Sequence, residues 1–497
     1  MADPGHFDPP TSGGTTIHKV PAMSTSLLVM KFGGTSVGSA ESVARAARLV
    51  AEQARLRPVA VVVSAMSQVT NRLLSTLDAA EQGDAEAVES NLERLRRTHL
   101  EACAELLPKD RAGGVATRIA EILDGFARVA RGMLLLRERP PRAVDEAAPT
   151  GERISSLLVS EVLASLGVAA QPVSGTDLIV TDTAFDGANP FLEETAAKAS
   201  AVLQPMLDEG VVPIIAGYNA ATRDGTPTTL GRGGSDFSGS IIAASLRAAE
   251  LWIWTDVDGI LSCDPDIADG ARLLADVTYN EAAELSYNGA KVLHPRTLAP
   301  LAELEIPVRI KNSFRPEGPG TRISNHRVEQ PGVRAITSLS GVALVSMEAT
   351  GLSLSGAQLM ARALECAART KVEILLMTRS SFRQNFCMLV RSEDVAALLD
   401  RLREELALEL AHGYLHPIEV DHSVGLLAAV GEGMRGTPGL AGRLFTAISR
   451  QHVNIIAIAQ GSSELTIAIV VNEQDLRTAV SAIHCECQLG QPVGTPH

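Results

Sequence analysis

The chain has no excess of basic residues: 44 lysines and arginines stand against 58 aspartates and glutamates in 497 residues, a formal net charge of −14. Nucleic acid and anionic membrane surfaces need a basic footprint, so neither is expected as the main partner, and any anionic substrate has to be held by a local site. Long apolar runs are missing as well. The longest, VAVVVSAM at residues 59–66, is the size of a strand and far too short to span a bilayer. The opening stretch MADPGHFDPPTSGGTTIHKVPAMSTS has neither the basic start nor the apolar centre of a signal peptide. It reads as a disordered extension over residues 1–25, and a cytoplasmic location is the expectation. Cysteine is scarce too, with six residues scattered at positions 103, 263, 366, 387, 485 and 487. That distribution disfavours a disulfide framework. The one cluster, HCEC at His484 to Cys487, has no second pair to complete a tetrahedral site, and no protein-held metal is expected.

What the chain does have is apolar content, at 45%, and a length that suggests two to four domains. From about residue 26 to 325, strand-like runs alternate with alanine-rich amphipathic stretches: SLLVMKF, PVAVVVSAM, QPVSGTDLIV, GVVPIIAGY, LWIWTDV and IPVRIKN. This pattern predicts an α/β fold with a mainly parallel sheet covered by helices. A helical insertion is expected over roughly 80–140, and the Gly/Pro-rich stretch RPEGPGTRISNHRVEQPG marks a boundary. Beyond it, two stretches read in the same order of strand, glycine-containing loop, helix, strand, turn and strand. They are offset by about 80 residues, which predicts two copies of a small α+β unit.

Two segments carry the chemistry. LLVMKFGGTSVGSAES places Lys31 before a glycine pair, between a strand and a helix that Ser39 is positioned to cap. The lysine stands at the wrong end for a P-loop. The local arrangement nevertheless suits a phosphate: Gly33 and Gly34 admit close approach, and a helix N-terminus follows. TPTTLGRGGSDFSGS repeats the device, with Ser235 and Asp236 at the expected start of a second helix. The two cradles suggest two anionic ligands or two ends of one. TDVDGILSCDPD holds four aspartates that read mainly as turn residues. TYNEAAELSYNGAKVLHPRTL opens with a capping box, Thr278 with Glu281, and carries Lys291.

KFGGTSV, VVVSAMSQVTN, GER followed by Ser155, TTLGRGGSD, WTDVDGI and GAKVLHPRTL, in this order and spacing, resemble aspartate kinase of the amino acid kinase superfamily. The resemblance covers about residues 26–490 and implies a three-layer αβα sandwich with a mainly parallel sheet over 26–328. Two α+β, ferredoxin-like ACT domains would follow at 338–412 and 418–490. It further implies phosphorylation of the L-aspartate side-chain carboxylate, with ATP and Mg²⁺, by a homodimer or larger assembly that pairs through ACT domains and responds to lysine or threonine. By resemblance, Lys31 and Lys291 grip the transferring phosphate and Asp236 orients them. Gly33, Gly34 and Ser64 line the phosphate path, and Thr255 and Asp256 meet the nucleotide. Arg232 clamps the α-carboxylate, Glu152 receives the α-ammonium, and Thr70, Tyr218 and Ser235 complete the pocket. Asn454, Gln460, Ser463 and Glu464 match effector positions. The chemistry is consistent: an aspartate carboxylate is already ionised at pH 7, so the reaction needs alignment and charge neutralisation rather than a general base.

The chain departs from the family pattern at Leu261 and Asp266, where a tyrosine and an arginine near the nucleotide are usual, and at the segment Tyr218-Asn219-Ala220. In the first ACT unit, Phe382 and Arg383 replace a Ser-Glu-like end. Two alternatives therefore stay open: a paralogue acting on a modified aspartate or another small carboxylate, and a catalytically weak, ACT-based regulatory subunit.

Overall fold

The computed structural model describes residues 27–268, 270–290, 293–325, 332–350, 355–379 and 385–490. Its larger sheet has eight strands, in the spatial order Ala170–Ser174, Val212–Ala216, Val59–Val63, Leu28–Phe32, Glu250–Thr255, Val308–Asn312, Thr321–Ser324 and Asp276–Thr278. The first six run parallel to one another, and Thr321–Ser324 is antiparallel to Val308–Asn312. These six contain the six apolar runs read from the sequence. Their composition follows from burial on both faces. Leu28, Met30 and Phe32 point into one core with the helices Ala40–Ala54 and Thr150–Ser165, while Leu27 and Val29 join another beneath Leu192–Asp208 and Gly234–Ser245. The result is three layers, helix on sheet on helix.

Local signals operate as written in the sequence. Ser39 caps Ala40–Ala54, its hydroxyl accepting from the Ser42 N–H at 3.2 Å, and Val43, Ala46, Ala47, Val50 and Ala51 are buried. Thr278 and Glu281 form a complete capping box on the helix Tyr279–Tyr287. The run QPVSGTDLIV is divided: Ala170–Ser174 joins the large sheet, whereas Val180–Thr181 pairs with Asn219–Thr222 in a separate three-stranded sheet. The long helices Ala85–Leu106 and Lys109–Leu136 pack beside the first core. No helix among the described residues is long and apolar enough to cross a membrane.

The second sheet is antiparallel, in the order Leu376–Arg379, Phe386–Arg391, Ala335–Met347, Glu419–Val430, Thr466–Asn472 and Ile455–Gln460. Its central strand serves both halves. Val342–Met347 pairs with Phe386–Arg391, and its alternate residues Ala343, Val345 and Met347 pack under the helices Gly356–Arg369 and Val395–Glu405. The preceding residues Ala335–Leu339 pair only with Glu419–Val430, and Ile336 packs with Leu444 and Val480 of the C-terminal helices. The two repeats are thus interleaved: residues before 340 complete the second half. The opposite sheet face, with Val342, Leu344, Leu376, Leu389, Leu426 and Val470, forms one shared core.

Candidate active site

All six parallel strands end on one edge, and the chain leaves Leu28–Phe32 and Glu250–Thr255 toward opposite sides of the sheet. Such a switch point is where open α/β sheets form a ligand crevice. A cleft of about 860 Å³ lies there, and every site residue expected within the kinase region and described by the structure lines it: Lys31, Gly33, Gly34, Ser64, Thr70, Glu152, Tyr218, Arg232, Ser235, Asp236, Thr255 and Asp256. Lys291 lies outside the described residues.

Lys31 is buried, and its Nζ meets Asp236 Oδ1 at 2.5 Å. Helix geometry produces this pair. Asp236 and Gly239 are three apart in Gly234–Ser245 and so share a face. A Cβ on Gly239 would stand 3.2 Å from Lys31 Cβ, so glycine lets the lysine stem pass between strand and helix. The neighbouring cradle is equally tight. A Cβ on Gly34 would press on the Ala65 carbonyl at 3.3 Å, and one on Gly33 would stand 3.4 Å from the Trp254 carbonyl. Bare backbone is left facing the cleft there.

Glu152 enters from the first turn of Thr150–Ser165. Burial pushes its carboxyl up to about 7, against the pull of backbone N–H groups and the Lys31 charge. Its Oε2 is buried without a hydrogen-bond partner, an open acceptor in the cleft wall. Tyr218 sits in the left-handed region at φ 71°, rare for a ring-bearing residue, and its N–H donates to Ser238 Oγ at 2.9 Å. Its phenol, pushed up to about 12 by burial, bonds Thr229. At the rim, exposed Arg232 pairs with Glu393, which belongs to the second sheet's half of the chain, at 3.3 Å.

Several supporting residues escaped the sequence reading. Ser36 Oγ donates to the Trp254 carbonyl and lies 2.8 Å from Ser313 Oγ, tying together the loops after three strands. Asn312 Nδ2 donates to the Asp256 carbonyl and to Asp258 Oδ1. Buried Asp145 accepts from the N–H and hydroxyl of Thr229, both at 2.9 Å, and from the N–H of Asp186, a cleft residue. Ser36 stands inside KFGGTSV and Asn312 ends an apolar run, so position could have flagged both; Asp145 carries no local signal.

Leu261 and Asp266, read as nucleotide-side departures, do not line the cleft. Leu261 bridges Leu273, and the Asp266 carbonyl accepts from Arg477 on the C-terminal helix. Of the expected effector residues, Ser463 lines a separate cavity, and Glu464 Oε2 accepts from the Gly436 N–H at 2.7 Å. Asn454 precedes and Gln460 ends the strand Ile455–Gln460, and neither lines that cavity. Phe382 and Arg383 lie outside the described residues. His484 Nε2 meets Ser262 Oγ at 3.2 Å. Among the described residues no group of three or more acidic, His or Cys side chains could hold a metal. A Mg²⁺ ion carried on phosphate oxygens and water needs only one or two carboxylates, and Asp236 and Asp256 stand in the cleft wall.

A lysine-bearing glycine cradle at the switch point of a three-layer sandwich defines a class of small-molecule phosphotransferase. Residues 26–312 match the amino acid kinase family and residues 427–487 match an ACT domain; the chain belongs to the amino acid kinase family. It is 32% identical over 473 residues to the bifunctional aspartokinase/homoserine dehydrogenase 1 of Arabidopsis thaliana, covering 93% of this chain and 51% of that protein. The chain therefore spans about half the length of that relative. Among solved structures, Escherichia coli aspartokinase III with aspartate and ADP, in the R-state, matches with a TM-score of 0.80 and 28% identity, over 93% of this chain and 99% of that one. The same protein with lysine and aspartate, in the T-state, matches with a TM-score of 0.75 and 29% identity, over the same shares.

Proposed function

We propose that this chain phosphorylates the side-chain carboxylate of L-aspartate with ATP, forming 4-phospho-L-aspartate. The observation that carries the reading is the buried Lys31–Asp236 pair beneath a glycine cradle, with the unpartnered Glu152 oxygen and Arg232 on the same cleft. In this reading Arg232 takes the α-carboxylate and Glu152 the α-ammonium, which leaves the side-chain carboxylate facing Lys31. Thr70, Tyr218 and Ser235 bound the amino acid, while Ser64, Thr255 and Asp256 bound the nucleotide. One carboxylate oxygen bonds to the γ-phosphorus as the bond to the β–γ bridging oxygen breaks, and ADP leaves with that electron pair. Lys31 neutralises charge spreading over the phosphoryl oxygens, and Lys291 is assigned the same task from its place in the motif. Mg²⁺ bound to the nucleotide supplies further charge neutralisation.

The kinship with aspartokinases supports this activity and an entry role in aspartate-derived amino acid synthesis, covering lysine, threonine and methionine. Regulation by lysine or threonine, pairing of chains through the ACT region and a cytoplasmic location belong to the same proposal, with domains at 26–328, 338–412 and 418–490. Hydroxylamine trapping with Mg-ATP tests it: hydroxamate from L-aspartate and none from glutamate or N-acetylglutamate is expected. Absence of hydroxamate from folded protein would refute it.

A further inference from the structure

Asp145, in the short helix Pro141–Ala147, is 1% exposed, does not line the cleft and forms no ion pair among the described residues. A carboxylate buried without a counter-charge has to be held by donors. Oδ1 accepts from the Thr229 hydroxyl and Oδ2 from the Thr229 N–H, both at 2.9 Å, and the Asp186 N–H stands 3.2 Å from each. Each oxygen thus meets two donors, an arrangement that a neutral acid, with a proton of its own to place, would break. Burial pushes the carboxyl up, and these donors pull it back toward the ionised form.

The arrangement sets the direction of a chain of hydrogen bonds. A hydroxyl carries one proton, and an ionised carboxylate can only accept. Thr229, fully buried, gives its proton to Asp145, so toward Tyr218 its oxygen can only accept. The Tyr218 phenol, which bonds Thr229, therefore donates to it. With that proton committed, the phenol oxygen has only lone pairs to offer a ligand. Its surroundings carry one sign: Glu152 and Asp186 line the cleft with Tyr218, and the charges of Glu152, Asp145 and Asp186 all act on the phenol.

The parts are held in place. Tyr218 directly precedes Asn219, which pairs with Thr229 across the hairpin of Asn219–Thr222 and Pro227–Thr229. A Cβ on Gly234 would stand 2.6 Å from Tyr218 Cδ2, so the ring packs directly on the first turn of Gly234–Ser245. The loop of Asp186 is tied to the same strand, its Ala188 N–H donating to the Thr229 carbonyl at 2.8 Å.

We propose that Asp145 is a positioning residue that makes Tyr218 a hydrogen-bond acceptor, and that the phenol oxygen and Glu152 together form a pocket selective for a free α-ammonium group. An ammonium brings three N–H donors and a positive charge, whereas an N-acylated or deaminated acid brings one donor or none. The identity of the ligand as L-aspartate rests on the proposed kinase reading; the direction of the chain does not.

Calorimetric titration of the full chain in Mg-ADP with L-aspartate and with succinate, the same diacid without its amine, tests the pocket. Tyr218→Phe is expected to weaken L-aspartate about tenfold, the scale of one hydrogen bond to a charged group, and to leave succinate within about twofold. Asp145→Asn would turn an amide N–H toward the Thr229 oxygen, send that hydroxyl's proton to Tyr218 and make the phenol a donor, so the same selective loss is expected. Thr229→Val should share the loss and Thr229→Ser should restore parental affinity; these two carry the test if a thermal melt shows Asp145→Asn unfolded. L-aspartate affinity unchanged in Tyr218→Phe, or succinate weakened in parallel with L-aspartate, would overturn the pocket. Selective loss of L-aspartate in a protein that makes no hydroxamate would keep the pocket and refute the kinase reading, and a parent protein that binds no L-aspartate would overturn both.

Discussion

Replacing Lys31 by methionine removes the charge while keeping most of the stem that threads past Gly239. The ammonium is buried, and Asp236 Oδ1, 2.5 Å away, holds it at the floor of the cleft. A charge fixed this way needs little reorganisation as phosphoryl charge develops, and loss of one preorganised donor costs about 10²–10³ in kcat, or about 2.7–4 kcal/mol. Because the contact strengthens mainly in the transition state, the KM for ATP should move less than kcat. Stability should also fall, since Asp236 loses its partner. Its side chain retains 20% exposure, so the loss should stay below the roughly 3–5 kcal/mol of a fully buried broken pair. The assay is initial-rate hydroxamate formation across ATP and aspartate concentrations, with a thermal melt to establish folding. A folded Lys31→Met protein with parental kcat would refute the assignment of Lys31 to the transferring phosphate.

Glu152, pushed up to about 7 by burial, should make aspartate binding pH-dependent. Below that value the carboxyl is neutral and attracts the ammonium less, so KM for aspartate should rise as pH falls from 8 to 6 with one ionisation near 7; a flat profile would contradict the role. The folded state holds this proton more tightly than the unfolded chain, so the residue's contribution to stability should decline as pH rises from about 4.5 to about 7. Glu393→Gln should free Arg232 for substrate. Both partners are largely exposed, so the pair is worth no more than about 1 kcal/mol and KM for aspartate should drop about two- to fivefold with kcat unchanged; a rise in KM would refute the competition. Glu281→Gln should destabilise by about 3–5 kcal/mol in urea unfolding, because Arg334 stays buried without its counter-charge, while the double replacement Glu281→Met with Arg334→Met should cost less than the sum of the single changes. Strict additivity would show that the pair is not a unit.

Contiguous features were legible along the chain. An apolar run buried on both faces, a glycine pair and a capped amphipathic helix are each specified by residues within one or two turns of each other. That is why Leu28–Phe32, the cap at Ser39 and the box at Thr278 and Glu281 form where the sequence implies. The six strands of the parallel sheet were readable for the same reason, and the motif order pointed to a kinase of the amino acid kinase family. Other features depend on which distant segments the packing brings together. Gly175, just past the strand Ala170–Ser174, leaves no room for a Cβ beside Asn219, a contact invisible until the two segments meet. Asp145 matters because Thr229 and Asp186 fold onto it. The strand Ala335–Met347 is one uninterrupted run whose two halves serve different cores, an interleaving that no local pattern along the chain records. The cavity that Ser463 lines likewise exists only because one helix of the first body lies against a loop and a turn of the second. Short-range propensity and periodicity act within an element and are written in order along the chain; side-chain partnerships across elements are decided by the burial of those elements against each other.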